Sequence, residues 1–191
     1  PFSLGEHSQI KMGAKIYGPS SLGSYCKVGG ELNNVVFFGY SNKAHDGFMG
    51  NSVVGEWCNF GADTNTSNLK NNYGEIKVID YETGISVNSG TQFCGLFMGD
   101  HSKCGINSMF NSGTVVGVGC NMFGTGYIRG LVPSFSYGGP QEGFEVYRLD
   151  KAIETATRVY ERRGKIFDKM EESIMTAIFR QSHPSLFSEK E

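Results

Sequence analysis

His45 is the residue of this chain whose type and setting most directly offer chemistry. It lies in the stretch N42KAHDGFMGN51, between an alanine and an aspartate, with glycines two and five positions further on. An imidazole exchanges protons near neutral pH, so that such a histidine can carry protons in a site. It can equally be a solvent-facing loop residue or a buried structural group. The choice depends on the architecture to which the surrounding glycines belong.

Those glycines belong to a repeat of six residues. All but one of the 27 glycines precede residue 144. From residue 98 the units read MGDHSK, CGINSM, FNSGTV, VGVGCN and MFGTGY, each with a small residue four places after the first. The same period continues in two earlier tracts, with first residues Ile10, Ile16, Leu22, Val28, then Phe48, Val54 and Phe60. The pattern fails at Leu32. The tracts are out of phase by two residues, which predicts insertions at about 29–47 and 65–97.

A six-residue period fits neither an α-helix, which repeats at 3.6, nor an isolated strand, which repeats at 2. It fits a short strand followed by a turn, with three such units forming one triangular coil. Stacked coils bury the bulky residues and place the small ones at tight corners. The sequence therefore predicts an all-β fold, a parallel β-helix.

The composition changes at about residue 144. Apolar residues then recur at helical spacing with charges between them, and Gly164 is expected to divide the segment into two helices. The stretch PSFSYGGPQEG before it is rich in turn-forming residues. We predict a β-helix over 1–130, a linker over 131–144, a helical segment over 145–182 that docks on the β-helix or on a neighbouring subunit, and a tail over 183–191.

The segment from Asn33 to Asn68 carries a resemblance to a known family. Its His45, Gly50 and N59FGADTNTSN68 resemble, at matching spacing, the acetyltransferase half of the bifunctional N-acetylglucosamine-1-phosphate uridylyltransferases. These are left-handed β-helix acyltransferases with hexapeptide repeats. The resemblance covers residues 10–128, and it implies that a nucleotidyltransferase domain precedes this segment in the family.

The resemblance also implies roles for individual residues. His45 would be the general base that takes a proton from an attacking amine, and the Ala62 N–H would stabilise the oxyanion on the acyl-CoA side. The residues assigned to the acceptor are Asn33, Phe48 and Asn59. The further residues assigned to the acyl-CoA side are Asn68, Ile106 and Gly124.

Three of these positions depart from the family pattern. Asn33 stands where a lysine usually binds the sugar phosphate, Phe48 lacks a tyrosine hydroxyl, and Ile106 replaces a serine. Loss of the lysine removes a strong charge-assisted contact. We expect either that Lys43 or Lys70 replaces it or that the acceptor is not glucosamine 1-phosphate. Candidates for a further basic residue upstream are Lys15 and Lys27.

Composition narrows the class of protein. A formal net charge of −2 gives no reason to expect nucleic acid or an anionic membrane as a partner, and no apolar run is long enough to span a bilayer. Five cysteines without C-x-x-C spacing indicate buried, reduced thiols in a cytoplasmic protein. The repeat region contains only His45 and His101, so no metal site is predicted. His101 is expected to be exposed.

We therefore expect an N-acetyltransferase that uses acetyl-CoA as co-substrate and acts on an amino-sugar phosphate. The alternative is a catalytically silent β-helix that serves as a trimerisation or regulatory module of a sugar-1-phosphate nucleotidyltransferase. A homotrimer is expected in either case, because the coil interior has no room for Phe37, Phe38, Phe97 and the apolar stripe of the helices.

Overall fold

The chain winds as a parallel β-helix with three faces. The structure, a computed structural model, describes residues 1–186. Each strand pairs in parallel with the strands one coil before and after it, as Lys103–Cys104 does with Asn59–Phe60 and Asn121–Met122. The predicted all-β fold with helices after it is confirmed, because short strands separated by turns account for the six-residue period.

The faces follow one another along each coil. The first face contains Phe2–Leu4, Ser20–Leu22, Phe97–Met98, Val115–Val116 and Leu131–Val132. The second contains Gln9–Ile10, Lys27–Val28, Asn42–Lys43, Asn59–Phe60, Lys103–Cys104, Asn121–Met122 and Ser136–Gly139. The third contains Lys15–Tyr17, Asn65–Thr66, Met109–Phe110 and Tyr127–Ile128. Two longer strands, Glu31–Phe37 and Phe48–Val54, begin on the third face and end on the first.

One of the two predicted insertions is present. Residues 69–93 leave the coil, and within them Lys77–Ile79 and Ser86–Asn88 form an antiparallel hairpin. The insertion predicted at 29–47 is wrong: the long strand Glu31–Phe37 keeps this segment in the coil, and Asn42–Lys43 pairs with Lys27–Val28 fifteen residues earlier. The coil is merely shorter here, which shifts the phase of the pattern.

The segment predicted as a linker, 131–144, is also part of the β-helix. Leu131–Val132 pairs with Val115–Val116, and Ser136–Gly139 pairs with Asn121–Met122. Gly143–Val146 then turns back and pairs antiparallel with Ser136–Gly139, which covers the edge of the last coil. Glycine, proline and serine are corner residues of the coil here, which explains why the composition of this segment resembled that of a linker.

The interior is apolar, with small residues at the corners. Its core includes Leu22, Val54, Phe60, Phe110 and Met122, all buried. The small residues act through hydrogen bonds: the Ser102 hydroxyl donates to the Gly117 carbonyl (2.7 Å) and accepts from the Cys120 N–H (3.0 Å). All five cysteines are free and buried, as predicted.

The interior phase differs from the prediction at one coil. Met49, not Phe48, fills the core there, between Leu32 and Thr66 of the adjacent coils. Leu32, where the repeat pattern failed, is fully buried. Phe37 is also a core residue, so it provides no surplus apolar surface for an oligomer.

Two α-helices follow the coils, α1 over Leu149–Glu161 and α2 over Lys169–Ser182. Gly164 lies between them at φ +66°, a conformation that glycine adopts readily, and the Asp168 carboxylate caps α2. The helices pack against the end of the β-helix, where Ala156, Met175 and Phe179 enclose Phe135. A short 3₁₀ helix, Pro184–Leu186, lies in the predicted tail, whose last five residues fall outside the described part.

Aromatic rings stack along the corner between the first and second faces. We call this set the aromatic ladder: His7, Tyr25, Tyr40, Trp57 and His101, one per coil, all with φ near +60°. Ring centroids from His7 to Trp57 are separated by 4.7, 4.9 and 4.1 Å. The left-handed conformation is costly for such residues, and each stacked pair offsets part of that cost.

Candidate active site

His45 lies at the corner that joins the second face to the third, which we call the second corner. In the next coil this corner contains Ala62, and in the two after that Ile106 and Gly124. The register fixes this alignment, since Asn42–Lys43, Asn59–Phe60, Lys103–Cys104 and Asn121–Met122 pair in sequence. The structure thus brings four of the eight predicted site residues into one column.

The His45 imidazole is exposed at this corner. Within residues 1–186 its ring nitrogens have no hydrogen-bond partner. The backbone around it is close-packed, because a Cβ on Gly47 would lie 2.1 Å from the Thr64 carbonyl oxygen of the next coil. An exposed side chain is therefore presented by a close-packed corner.

Lys43 fixes this corner from inside. Its side chain occupies an interior position of the coil and is 1% exposed. The Nζ atom donates to the main-chain carbonyls of His45 (2.9 Å), Asp46 (3.2 Å) and Gly29 (3.4 Å). Burial lowers its pKa to about 8, with a smaller opposing effect from Asp46. Lys43 therefore cannot replace the missing phosphate-binding lysine on the surface, and that prediction is wrong.

Ala62 presents its N–H at the neighbouring coil of the same corner. Its carbonyl accepts a hydrogen bond from the Asn107 N–H (2.8 Å), which ties it to the coil that contains Ile106. In the described part of the chain the Ala62 N–H itself donates to no other group. An unpaired N–H one coil away from an exposed imidazole can stabilise negative charge that develops next to it.

Phe48 and Asn59 flank the second corner. Phe48 begins the third face directly after the His45 corner; its N–H donates to the Asn65 side chain (2.8 Å) and its ring is half-exposed. Asn59 lies on the second face three residues before Ala62, exposed, between Asn42 and Lys103 of the adjacent coils. Both side chains are accessible from the surface around His45.

Asn33 and Asn68 lie away from this column, across the third face. Asn33 pairs with Gly50, and the Asn68 amide donates to the Asn51 side chain (2.7 Å) where the third face meets the first. A Cβ on Gly50 would lie 2.4 Å from the Asn68 nitrogen. The structure therefore places these two residues near each other but not beside His45.

The other candidate cations have different surroundings. Lys70 donates to the Glu75 carbonyl (2.6 Å) at the base of the hairpin, far along the third face from Asn59. Lys15 lies on the third face opposite Glu31, which itself pairs with Phe48. Lys27 lies on the second face, in the row that continues to Asn42 and Asn59.

The prediction that His101 is exposed is wrong. Its side chain is buried, with 8% exposed, because α1 and the loop after it cover the second face. Its ring lies parallel to Tyr160 (6.0 Å) and edge-on to Phe167 (6.3 Å), and its Nδ1 has no partner within residues 1–186. Burial lowers its pKa to about 3, with a further contribution from Lys103. The six-residue pattern could not reveal helices that dock on this face.

Within residues 1–186 no three or more His, Cys, Asp or Glu side chains are grouped so as to hold a metal ion. No helix in that range is long and apolar enough to cross a membrane.

The sequence has relatives among bifunctional enzymes. No protein-family model matches the chain. The bifunctional protein GlmU of Methanocaldococcus jannaschii is 32% identical over 126 residues, which cover 66% of this chain and 25% of that protein. A bifunctional sugar-1-phosphate nucleotidylyltransferase/acetyltransferase of Sulfurisphaera tokodaii is 34% identical over 87 residues, 46% of this chain and 21% of that protein. The matched segments thus span a quarter or less of these relatives.

The fold has solved counterparts. AntD, an N-acyltransferase from Bacillus cereus solved in complex with dTDP and 3-hydroxybutyryl-CoA, superposes with a TM-score of 0.54 at 13% identity, over 85% of this chain and 92% of that one. This likeness concerns the fold. Together with the sequence matches it confirms the resemblance noted from the residues around His45. The repeat region of this chain is related to the bifunctional sugar-1-phosphate nucleotidylyltransferase/acetyltransferases and is a β-helix of the hexapeptide-repeat kind.

Proposed function

We propose that this chain is an acyl-CoA-dependent N-acetyltransferase that acts on an amino-sugar phosphate. The observation that carries the proposal is the second corner, where the exposed His45 imidazole and the unpaired Ala62 N–H lie on adjacent coils. The names of the relatives, which combine sugar-1-phosphate nucleotidylyltransferase and acetyltransferase activities, support it.

The proposed reaction uses these two groups in turn. The acceptor amine loses a proton to His45 as its nitrogen attacks the thioester carbonyl, and the Ala62 N–H stabilises the oxyanion that forms. The C–S bond then breaks, and the leaving coenzyme A thiolate takes the proton back from the imidazolium. No metal or redox partner is required for this balance.

The other predicted residues divide between the two substrates. Ile106 and Gly124 continue the second corner beyond Ala62, so that an extended pantetheine can follow the corner from coil to coil; Asn68 completes the acyl-CoA side. Phe48 and Asn59 face the acceptor, with Asn33 at the far edge of the third face. Of these positions, Asn33 and Asn68 lie across the third face from His45, next to Gly50 and Asn51.

A homotrimer forms part of the proposal. On the first face, outward side chains of successive coils form one apolar row: Val36, Val53, Phe97, Val115 and Leu131. Phe38, 54% exposed, lies beside this row, and together with Tyr81 of the hairpin it lines a cavity of about 560 Å³. A second copy would cover this surface, and the helices, which pack on their own chain, are not needed for it.

Acetyl transfer to glucosamine 1-phosphate, measured as release of free coenzyme A thiol, tests the proposal. Saturable turnover that requires both substrates is expected. Titration calorimetry with acetyl-CoA provides the second readout. If the chain neither binds acetyl-CoA nor transfers acetyl groups to any of a panel of amino-sugar phosphates, the silent β-helix module is the correct assignment.

A further inference from the structure

A cavity of about 420 Å³ lies between the second face and the C-terminal end of α1. Four cationic side chains line it, two from the β-helix and two from the helix end, and no aspartate or glutamate does. The four cations are Lys27, Lys103, Arg162 and Arg163. The cavity also contains the amide side chains of Asn42 and Asn59.

The positive charge of this cavity is held in place but not neutralised. Within residues 1–186 none of the four cations forms an ion pair, whereas cations elsewhere on α1 do, as in Lys151–Glu154. Arg163 donates to the Asn42 side-chain oxygen (3.0 Å) and Lys103 to the His101 carbonyl (2.8 Å). Both partners are uncharged.

The cations also repel one another. The pKa of Lys27 is lowered, chiefly by Arg163 and with smaller effects of burial, Lys11 and Arg162, and burial lowers the pKa of Lys103. Arg162 and Arg163 directly follow the C-terminal end of α1, where the negative end of the helix dipole favours positive charge. The dipole does not account for two lysines brought to the same place by the β-helix.

We infer that this cavity binds the phosphate group of the acceptor. Clustered lysine and arginine side chains with amide donors beside them suit a phosphate, and the volume suits a sugar phosphate. A base cannot stack on Trp57, since Tyr40 (4.1 Å) and Tyr160 (4.0 Å) cover both of its faces. The cavity thus supplies the charge that Asn33 does not.

The position of the cavity favours the acceptor as the source of the phosphate. Asn42 and Asn59 precede His45 and Ala62 by three residues, so their Cα atoms lie within about 11 Å of the Cα atoms of these two corner residues. This assignment rests on the proposed function, because the acceptor matters only if acetyl transfer occurs. The phosphates of coenzyme A are the other possible source.

Calorimetric titration of the full chain distinguishes the two sources. The probes are glucosamine 1-phosphate, inorganic phosphate, glucosamine and coenzyme A. The variants are Lys27→Met, which removes a side chain that forms no hydrogen bond to the helices within residues 1–186, and Arg163→Met. Lys77→Met, on the hairpin, removes a cation outside the cavity and serves as the matched control. Circular dichroism verifies that each variant is folded.

We expect Lys27→Met and Arg163→Met to weaken binding of glucosamine 1-phosphate and inorganic phosphate by at least about 10-fold, while Lys77→Met and binding of coenzyme A are unaffected. If the variants bind the two phosphate probes with unchanged affinity, the inference is wrong. If only coenzyme A binds more weakly, the cavity holds the donor and the acceptor assignment is wrong.

The acetyl-transfer assay separates this inference from the proposed function. Cavity-dependent phosphate binding without any acetyl transfer by the parent chain leaves the phosphate site standing and removes the proposed function. If the parent and both variants transfer acetyl groups with the same KM for glucosamine 1-phosphate, the proposed function stands and the phosphate site is wrong.

Discussion

The Nζ atom of Lys43 lies inside the β-helix, 2.9 Å from the main-chain oxygen of His45. A charged group at an interior position is expensive unless it is fully hydrogen-bonded, and here three carbonyls of two adjacent coils accept from it. The corner that presents the imidazole is therefore built around a buried ammonium. Lys43 touches neither substrate, so we regard it as a positioning residue.

Lys43→Met tests this role. Methionine fills the space but leaves the three carbonyls without a donor, so we expect turnover to fall by about 10-fold at a nearly unchanged KM for acetyl-CoA. Phe60→Leu, at the equivalent interior position of the next coil, is the control: it perturbs the core but not the His45 carbonyl. Equal loss of turnover in both variants would show that Lys43 acts only through stability.

His45→Ala is expected to lower turnover by roughly 10²–10⁴-fold while coenzyme A binding and fold are retained. The physical reason is that the imidazole is exposed at the second corner, one coil from Ala62, and that an imidazole exchanges protons near neutral pH. His7→Ala, at the exposed start of the aromatic ladder, provides the control. Turnover of His45→Ala within a few-fold of the parent would refute the role as general base.

The buried His101 should make the protein sensitive to acid. Its pKa is about 3 in the folded chain and near 6.5 when unfolded, so below pH 6.5 the unfolded state binds a proton that the folded state does not. This contribution to stability is present above pH 6.5 and disappears as the pH falls toward 3.

The variant His101→Phe isolates this effect, since carboxylates elsewhere titrate equally in both proteins. Between pH 7 and 4.5 we expect the parent to lose about 2–3 kcal/mol more of its free energy of unfolding than His101→Phe does, measured by urea denaturation. Identical pH dependence of parent and His101→Phe would contradict the assignment.

Gly119 occupies the ladder position after His101, at φ +68°, and a Cβ there would lie 3.0 Å from the Phe135 ring. Gly119→Ala should therefore cost about 2–4 kcal/mol of unfolding free energy, from backbone strain and overpacking together. Gly84→Ala has a similar φ of +70° but open space around it, so it should cost only about 1–2 kcal/mol. Equal thermal destabilisation of the two variants would show that the Phe135 contact is unimportant.

The apolar row predicts the oligomeric state. Sedimentation equilibrium at micromolar concentration should give three times the mass of the chain, and Val53→Glu, in the middle of the row, should dissociate it. Val87→Glu, exposed on the hairpin, is the matched control and should remain trimeric. A parent chain that sediments as a monomer removes this part of the proposal.

The sequence contained enough to predict the β-helix, because each coil repeats the same local physics: one bulky residue inside and one small residue at a corner. It placed Phe48 in the core and treated Leu32 as a failure because Leu32 and Met49 follow their interior counterparts by 16 and 17 residues, not by the 18 that separate Ile10 from Val28. A shortened coil changes the phase of the pattern in the same way as an insertion. The pairing of His45 with Ala62 came from the resemblance to the bifunctional family, and the strand register places both residues at one corner.

Other features depend on contacts that no local pattern records. From the sequence, Lys43 is expected to be a surface charge and His101 to be exposed. The strand register places Lys43 inside the β-helix, and α1 covers His101. The cationic cavity contains Lys27 and Arg163, which are 136 positions apart in the sequence. They come together only because the C-terminal end of α1 docks on the second face.

Trp57, the only tryptophan of the chain, lies between the rings of Tyr40 and Tyr160. Tyr40 belongs to the β-helix and Tyr160 to α1, so each face of the indole contacts a different part of the molecule. Its fluorescence is therefore an intrinsic signal of whether α1 is docked. Since α1 also forms one wall of the cationic cavity, the molecule contains its own optical reporter for the opening of that wall, without any attached dye.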